Sequence, residues 1–66
     1  MQRKDLLRRL DDLATARGVE FVFVREGRDH SVYRIGGRNL PIPRHREIND
    51  RTAQGILADA RKEMLQ

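Results

Sequence analysis

The stretch His30-Ser-Val-Tyr-Arg-Ile-Gly-Gly-Arg-Asn-Leu-Pro-Ile42 decides the fold of this chain. It predicts two strands, residues 30–35 and 38–42, joined by a Gly-Gly pair of the kind that closes a two-residue hairpin. This turn fixes the register, because it pairs Ile35 with Arg38. Each residue before Ile35 then pairs with the residue at the same distance after Arg38. Pro41 cannot donate to a strand ladder, so the second strand is expected on a sheet edge.

The register sorts the hairpin side chains into two faces, because side chains alternate along a strand. One face is expected to pack under helices and holds Ser31, Tyr33, Ile35, Leu40 and Ile42. The opposite face, called the open face below, holds His30, Val32, Arg34, Asn39 and Pro41.

Upstream of the hairpin, residues 3–16 carry leucines at helical spacing (Leu6, Leu10 and Leu13), and Gly18 is a natural helix stop. Residues 19–24 read Val-Glu-Phe-Val-Phe-Val, which predicts a further strand, and residues 25–29 predict a polar turn. Downstream, Asn49 is a good N-cap for a helix whose apolar stripe is Ala53, Ile56, Leu57, Ala60 and Met64. Within that helix, Gly55 suggests a close backbone approach.

The element order is therefore helix, three antiparallel strands, helix, an α+β fold with both helices on one face of the sheet. Residues 1–66 are expected to form a single domain. The chain has no cysteine, which fits a cytoplasmic protein and excludes disulfides. No apolar run approaches the roughly 20 residues needed to span a bilayer, so no membrane partner is expected.

Charge distribution points to the ligand class. The net charge is +4, and no acidic residue occurs between Asp29 and Glu47, a stretch that holds both histidines and four arginines. Such a cationic surface suits a phosphate-rich ligand. A GC-rich genome would also explain the high arginine count, but it does not explain the acid-free clustering. RNA is the candidate ligand of this class. Its expected contacts are Arg28, Arg34, Arg38, Arg44, His45 and Arg46.

His30 is the candidate catalytic residue. RNA is cut without a metal ion when a base removes the 2′-hydroxyl proton, and an imidazole that titrates near neutral pH suits this role. The nearby arginines would stabilise charge developing on the phosphate. The alternative is that His30 is an ordinary exposed strand residue. For His45, between two arginines, the alternatives are a phosphate contact and a solvated loop residue.

The strand at residues 19–24 is apolar on both faces, so Val22 and Val24 are expected beside Val32 on the open face. A sheet face left to water rarely carries such a row, which favours a covering protein partner, although scattered exposed valines are also normal. Two histidines without cysteine make a poor metal site, and no nucleophile elbow or phosphate-binding loop occurs. We therefore expect neither a metal nor a cofactor.

The chain resembles HicA-type toxins of bacterial type II toxin–antitoxin pairs, small mRNA interferases with a double-stranded-RNA-binding-domain-like α-β-β-β-α fold. The matching pieces are Arg-Asp-His30-Ser-Val-Tyr-Arg, the Gly-Gly turn, Leu-Pro-Ile-Pro-Arg-His-Arg-Glu-Ile48 and Thr-Ala-Gln-Gly-Ile-Leu57. The chain departs from the pattern in having Arg28-Asp29 where Gly-Ser is common and Ser31 where a second histidine often occurs.

The resemblance implies that His30 is the catalytic histidine of an endoribonuclease that cleaves mRNA, and that a HicB-type antitoxin binds and masks the surface. A second hypothesis is a non-catalytic RNA-binding module or adaptor that uses the same cationic surface. A third is a toxin fold kept only for partner binding.

Overall fold

The structure, a computed structural model, describes the backbone of residues 1–64 and the side chains of residues 1–62. Its elements in chain order are α1 (Arg3–Arg17), β1 (Phe21–Glu26), β2 (His30–Ile35), β3 (Arg38–Pro43) and α2 (Asp50–Met64). The strands form an antiparallel sheet in the order β1-β2-β3. The predicted α-β-β-β-α fold is therefore confirmed. The predicted place of the Met64 side chain in the apolar stripe lies outside the described residues.

The hairpin of β2 and β3 has the predicted register. Ile35 pairs with Arg38, Tyr33 with Leu40, and Val32 with Pro41. Because β2 is the central strand, β3 is an edge strand, as Pro41 requires. β3 is one residue longer than predicted and includes Pro43, which pairs with His30.

The core lies between the helices and one face of the sheet. From the sheet, Ile35, Leu40 and Ile42 are fully buried. The helices and the segment before α2 complete the cluster with Leu6, Leu10, Ala14, Ile48, Ala53, Leu57 and Ala60. Tyr33 packs against this core from the same face but is only half-buried. Among the described residues, no helix covers the remaining face of the sheet, as the predicted face assignment requires.

β1 begins two residues later than predicted, because Val19 belongs to the end of α1. Gly18 takes a left-handed conformation with φ of 70° and donates its backbone N–H to Thr15. The backbone N–H of Val19 donates to the carbonyl oxygen of Ala14. This pair of bonds is the Schellman motif. It uses the Val19 N–H that a strand would otherwise require.

The second half of β1 also differs from the prediction. Arg25 and Glu26, predicted in a polar turn, are strand residues that pair with Val32 and Ser31. The register shifts between Phe23 and Arg25, so Val24 is an extra, unpaired residue in a β-bulge. The turn is therefore confined to residues 27–29.

The start of α2 is as predicted. The Asn49 side-chain oxygen accepts a hydrogen bond from the backbone N–H of Thr52 at 2.8 Å, which is N-cap geometry. The expectation of a close approach at Gly55 is wrong, since open space surrounds the position of its absent Cβ. Among the described residues, no helix combines the length and the apolar character that crossing a membrane requires.

Candidate nucleic-acid interface

The open face carries the predicted catalytic residue. His30 is exposed at the start of β2, and Arg34 is exposed four residues farther along the same strand, on the same face. Between them Val32 is half-buried, and Asn39 and Pro41 of β3 are exposed beside them. No acidic residue occurs among the strand residues that face this way. The structure therefore brings His30 and Arg34 together on a cationic surface.

Arg25 is a further cation on this face that the sequence did not indicate. It lies directly opposite Val32, whose side chain is on the open face. A Cβ added to Gly27 would lie 3.9 Å from the Arg25 Nη1 atom. Gly27 itself donates its backbone N–H to the His30 carbonyl oxygen at 2.7 Å. The Arg25 guanidinium therefore lies beside the backbone at which His30 begins β2.

On the opposite face, a chain of hydrogen bonds joins four residues at the same end of the sheet. The Ser31 hydroxyl donates to Glu26 Oε1 at 2.6 Å and accepts from Arg3 Nη2 at 3.0 Å. The other Glu26 oxygen accepts from Arg44 Nη1 at 2.9 Å. Arg3 Nε also donates to the Pro43 carbonyl oxygen at 3.1 Å. We call Arg3, Ser31, Glu26 and Arg44 the polar clasp.

The polar clasp supplies the hydrogen-bond partners of the one buried polar side chain among the described residues. Ser31 is 1% exposed, and its hydroxyl is fully used by Glu26 and Arg3. The hydrogen bond from Ser31, followed in size by the one from Arg44, lowers the pKa of Glu26 below its ordinary value of 4.5. Glu26 is therefore held as a carboxylate at neutral pH.

Arg44 was predicted to contact RNA, and in the structure it forms hydrogen bonds within the fold. Besides Glu26, its guanidinium contacts the carbonyl oxygen of Arg28, and its backbone N–H donates to the Asp29 carbonyl at 3.4 Å. These bonds tie the turn between β1 and β2 to the end of β3. The turn is also tight at Gly27, where a Cβ would approach the His30 carbonyl oxygen to 2.8 Å. The backbone of His30 is thus fixed from both neighbouring strands.

The other predicted RNA contacts do not converge on the open face. Arg38 pairs with Ile35, faces the helices, and forms an ion pair of 3.4 Å with Asp59 of α2. Arg46 lines a surface cavity of about 550 Å³ with Gln2, Arg3 and Lys4, at the start of α1. Arg28 and His45 are exposed in the turn before β2 and in the segment after β3.

The predicted partner-binding valines differ in exposure. Val24, the bulge residue, is 40% exposed, whereas Val22 and Val32 are half-buried. The most exposed large apolar side chain in the described part of the chain is Phe23, at 53%. It packs edge-on against Tyr33, with ring centroids 5.5 Å apart. Phe23 therefore faces the helix side, and the apolar surface of β1 is not confined to the open face.

Within the described residues, no group of three or more His, Cys, Asp or Glu side chains is arranged to hold a metal ion. No family model, curated protein or solved structure matches this chain. Its function is therefore inferred from its residues and their arrangement.

Proposed function

We propose that this chain is the toxin component of a HicA-type toxin–antitoxin pair, an endoribonuclease that cleaves mRNA without a metal ion. The observation that carries the proposal is the exposed imidazole of His30 on a sheet face that also presents Arg34. No acidic strand residue competes with RNA there. The resemblance of residues 28–57 to the HicA pattern supports the same assignment.

The chemistry needs one base and a source of positive charge. His30 accepts the 2′-hydroxyl proton, and the 2′-oxygen attacks the adjacent phosphorus. The bond from phosphorus to the 5′-oxygen breaks, and the 5′-oxygen takes a proton from water or from the imidazolium. The products are a 2′,3′-cyclic phosphate and a 5′-hydroxyl end. Arg34, on the same face, stabilises the negative charge that develops on the phosphate oxygens.

The test is substitution of His30 by alanine. Because His30 is exposed and its side chain is outside the core, we expect His30→Ala to keep the fold, as judged by circular dichroism and thermal unfolding. Cleavage of single-stranded RNA should fall by about 10²- to 10⁴-fold, the usual contribution of a general base, and growth arrest on expression should be lost. Full cleavage by this variant would contradict the proposal.

His45 provides a comparison with the other imidazole. It lies in an irregular segment outside the sheet, so His45→Ala should weaken RNA binding without abolishing cleavage. Assays with and without EDTA test the metal independence directly. RNA binding by the wild-type chain without any cleavage would instead support the RNA-binding module.

The proposal includes a HicB-type antitoxin that covers the open face. The exposed Val24 and the half-buried Val22 and Val32 give this face apolar surface beside its cations. The product of a small neighbouring open reading frame is the candidate partner. We expect it to stop cleavage when added in equimolar amount. Binding that leaves cleavage unchanged would contradict masking of this face.

A further inference from the structure

We propose that Arg25 is a phosphate-binding residue of the RNA surface, positioned there by the β-bulge at Val24. The proposal rests on the function proposed above and adds a contact that the sequence pattern did not reveal. Three observations support it: the register of β1, the position of the Arg25 guanidinium, and the face of the sheet on which the Glu26 side chain lies.

The register places Arg25 between His30 and Arg34 of β2. Its partner Val32 is flanked on the same face by His30 and Arg34. Diagonal neighbours across a strand pair lie about 7–8 Å apart, within reach of long side chains. Arg25 therefore stands diagonally to both His30 and Arg34. A phosphate held against Val32 would be within reach of all three side chains.

The guanidinium is also directed toward the His30 end of the sheet. Arg25 Nη1 lies 3.9 Å from the position of a Gly27 Cβ, and Gly27 is hydrogen-bonded to the His30 carbonyl. Among the described residues, Arg25 forms no ion pair, in contrast to Arg38 and Arg44. Its planar set of donors is therefore available to an external phosphate.

The bulge places opposite charges on opposite faces. With strict alternation after Phe23, Arg25 would face the helices and Glu26 would stand on the open face with His30 and Arg34. The extra residue Val24 reverses this arrangement. Glu26 then reaches Ser31 on the helix side, and Arg25 reaches the RNA surface. Bulges are frequent next to active sites, where they re-aim side chains in this way.

The experiment compares Arg25→Ala with Arg9→Ala, which removes the same charge from the exposed side of α1. Both are made in the His30→Ala background, so that the RNA stays intact. Binding of a fluorescein-labelled single-stranded RNA of mixed sequence is followed by anisotropy over a range of salt concentrations. Arg25→Lys is included because it keeps the charge and loses the planar fork. Thermal unfolding verifies that each variant is folded.

We expect Arg25→Ala to weaken binding by about ten- to hundredfold, the size of one charge-assisted hydrogen bond. The slope of log K against log salt should fall by about 0.7, the value for one phosphate contact on a single strand. Arg25→Lys should recover part of the affinity and most of the slope, and Arg9→Ala should change neither.

The outcomes separate this proposal from the proposed function. If the chain with His30 intact cleaves RNA, and Arg25→Ala binds RNA as well as Arg9→Ala does in the His30→Ala background, the role of Arg25 is overturned while the nuclease assignment stands. If the chain with His30 intact neither binds nor cleaves RNA, both are overturned. A loss of affinity without a change in salt slope would overturn phosphate contact as its cause.

Discussion

The two faces of the sheet use arginine in opposite ways. On the helix side and at its border, Arg3, Arg38 and Arg44 each donate to an oxygen of another element. On the open face, Arg25 and Arg34 form no ion pair within the described residues. The comparison shows that the arginines divide into a group that is paired within the fold and a group without an ion pair among the described residues, to which we propose the ligand binds. The group to which an arginine belongs depends on the face of the sheet that it occupies, and not on its position within the acid-free stretch of the sequence.

Adjacent residues of β2 show the same division most clearly. Ser31 is buried and joined to Glu26 and Arg3, whereas His30 is exposed on the other face. The residue that fixes the strand and the residue that is proposed to do the chemistry are therefore neighbours in sequence. Substitutions at the two positions should separate stability from activity.

The largest effect on stability is expected in the core of the helix side. Leu40 is 1% exposed beneath the helices, so Leu40→Ala should lower the free energy of unfolding by about 2–5 kcal/mol. Its neighbour Asn39 is exposed on the open face, and Asn39→Ala should stay within about 0.5 kcal/mol of the wild type. Urea unfolding measures both. Equal losses at the two positions would contradict the assignment of faces.

A smaller loss is expected at the polar clasp. Ser31→Ala removes the hydroxyl that Glu26 and Arg3 share, which should cost about 0.5–1.5 kcal/mol because Glu26 is exposed and water can replace the lost partner. A double-mutant cycle with Glu26→Gln tests whether the two side chains act together. If the double variant loses as much as the sum of the single variants, the hydroxyl and the carboxylate are not coupled.

The smallest effect is the dependence of the clasp on pH. Because the folded-state pKa of Glu26 is below its ordinary value of 4.5, its stabilising contribution is present above pH 4.5. It is lost as the pH falls through the lower folded-state pKa. The difference in unfolding free energy between the wild type and Glu26→Gln should therefore shrink toward acid. Added salt should reduce it as well, since Arg44 and Glu26 are exposed. A constant difference from neutral to acid pH would contradict this role.

The sequence predicted the hairpin of β2 and β3 with its register, because a two-residue turn leaves little freedom in pairing. It also predicted the start of α2, because Asn49 provides a local capping signal. These successes concern features that neighbouring residues determine. The placement of His30 and Arg34 on the open face followed from the same local signals.

The largest errors concern β1, whose sequence carries no register signal. Phe-Val-Phe-Val is apolar at both alternating positions, so neither the late start nor the bulge can be recognised from it. The polar clasp depends on Arg3 and Arg44, which are far apart in the chain and meet only after folding. For the same reason the sequence did not distinguish Arg44 and Arg38, which form ion pairs, from the arginines that form none within the described residues.

The prolines of β3 make the two edges of the sheet unequal as places where a strand of another molecule could add. Backbone N–H groups on an edge strand alternate between inward and outward directions, and Pro41 and Pro43 occupy two of the outward positions without any N–H to offer. Head-to-tail stacking of copies would have to join β1 of one molecule to β3 of the next. That edge lacks two of the outward N–H donors of a strand ladder, which disfavours head-to-tail stacking of copies into a fibre.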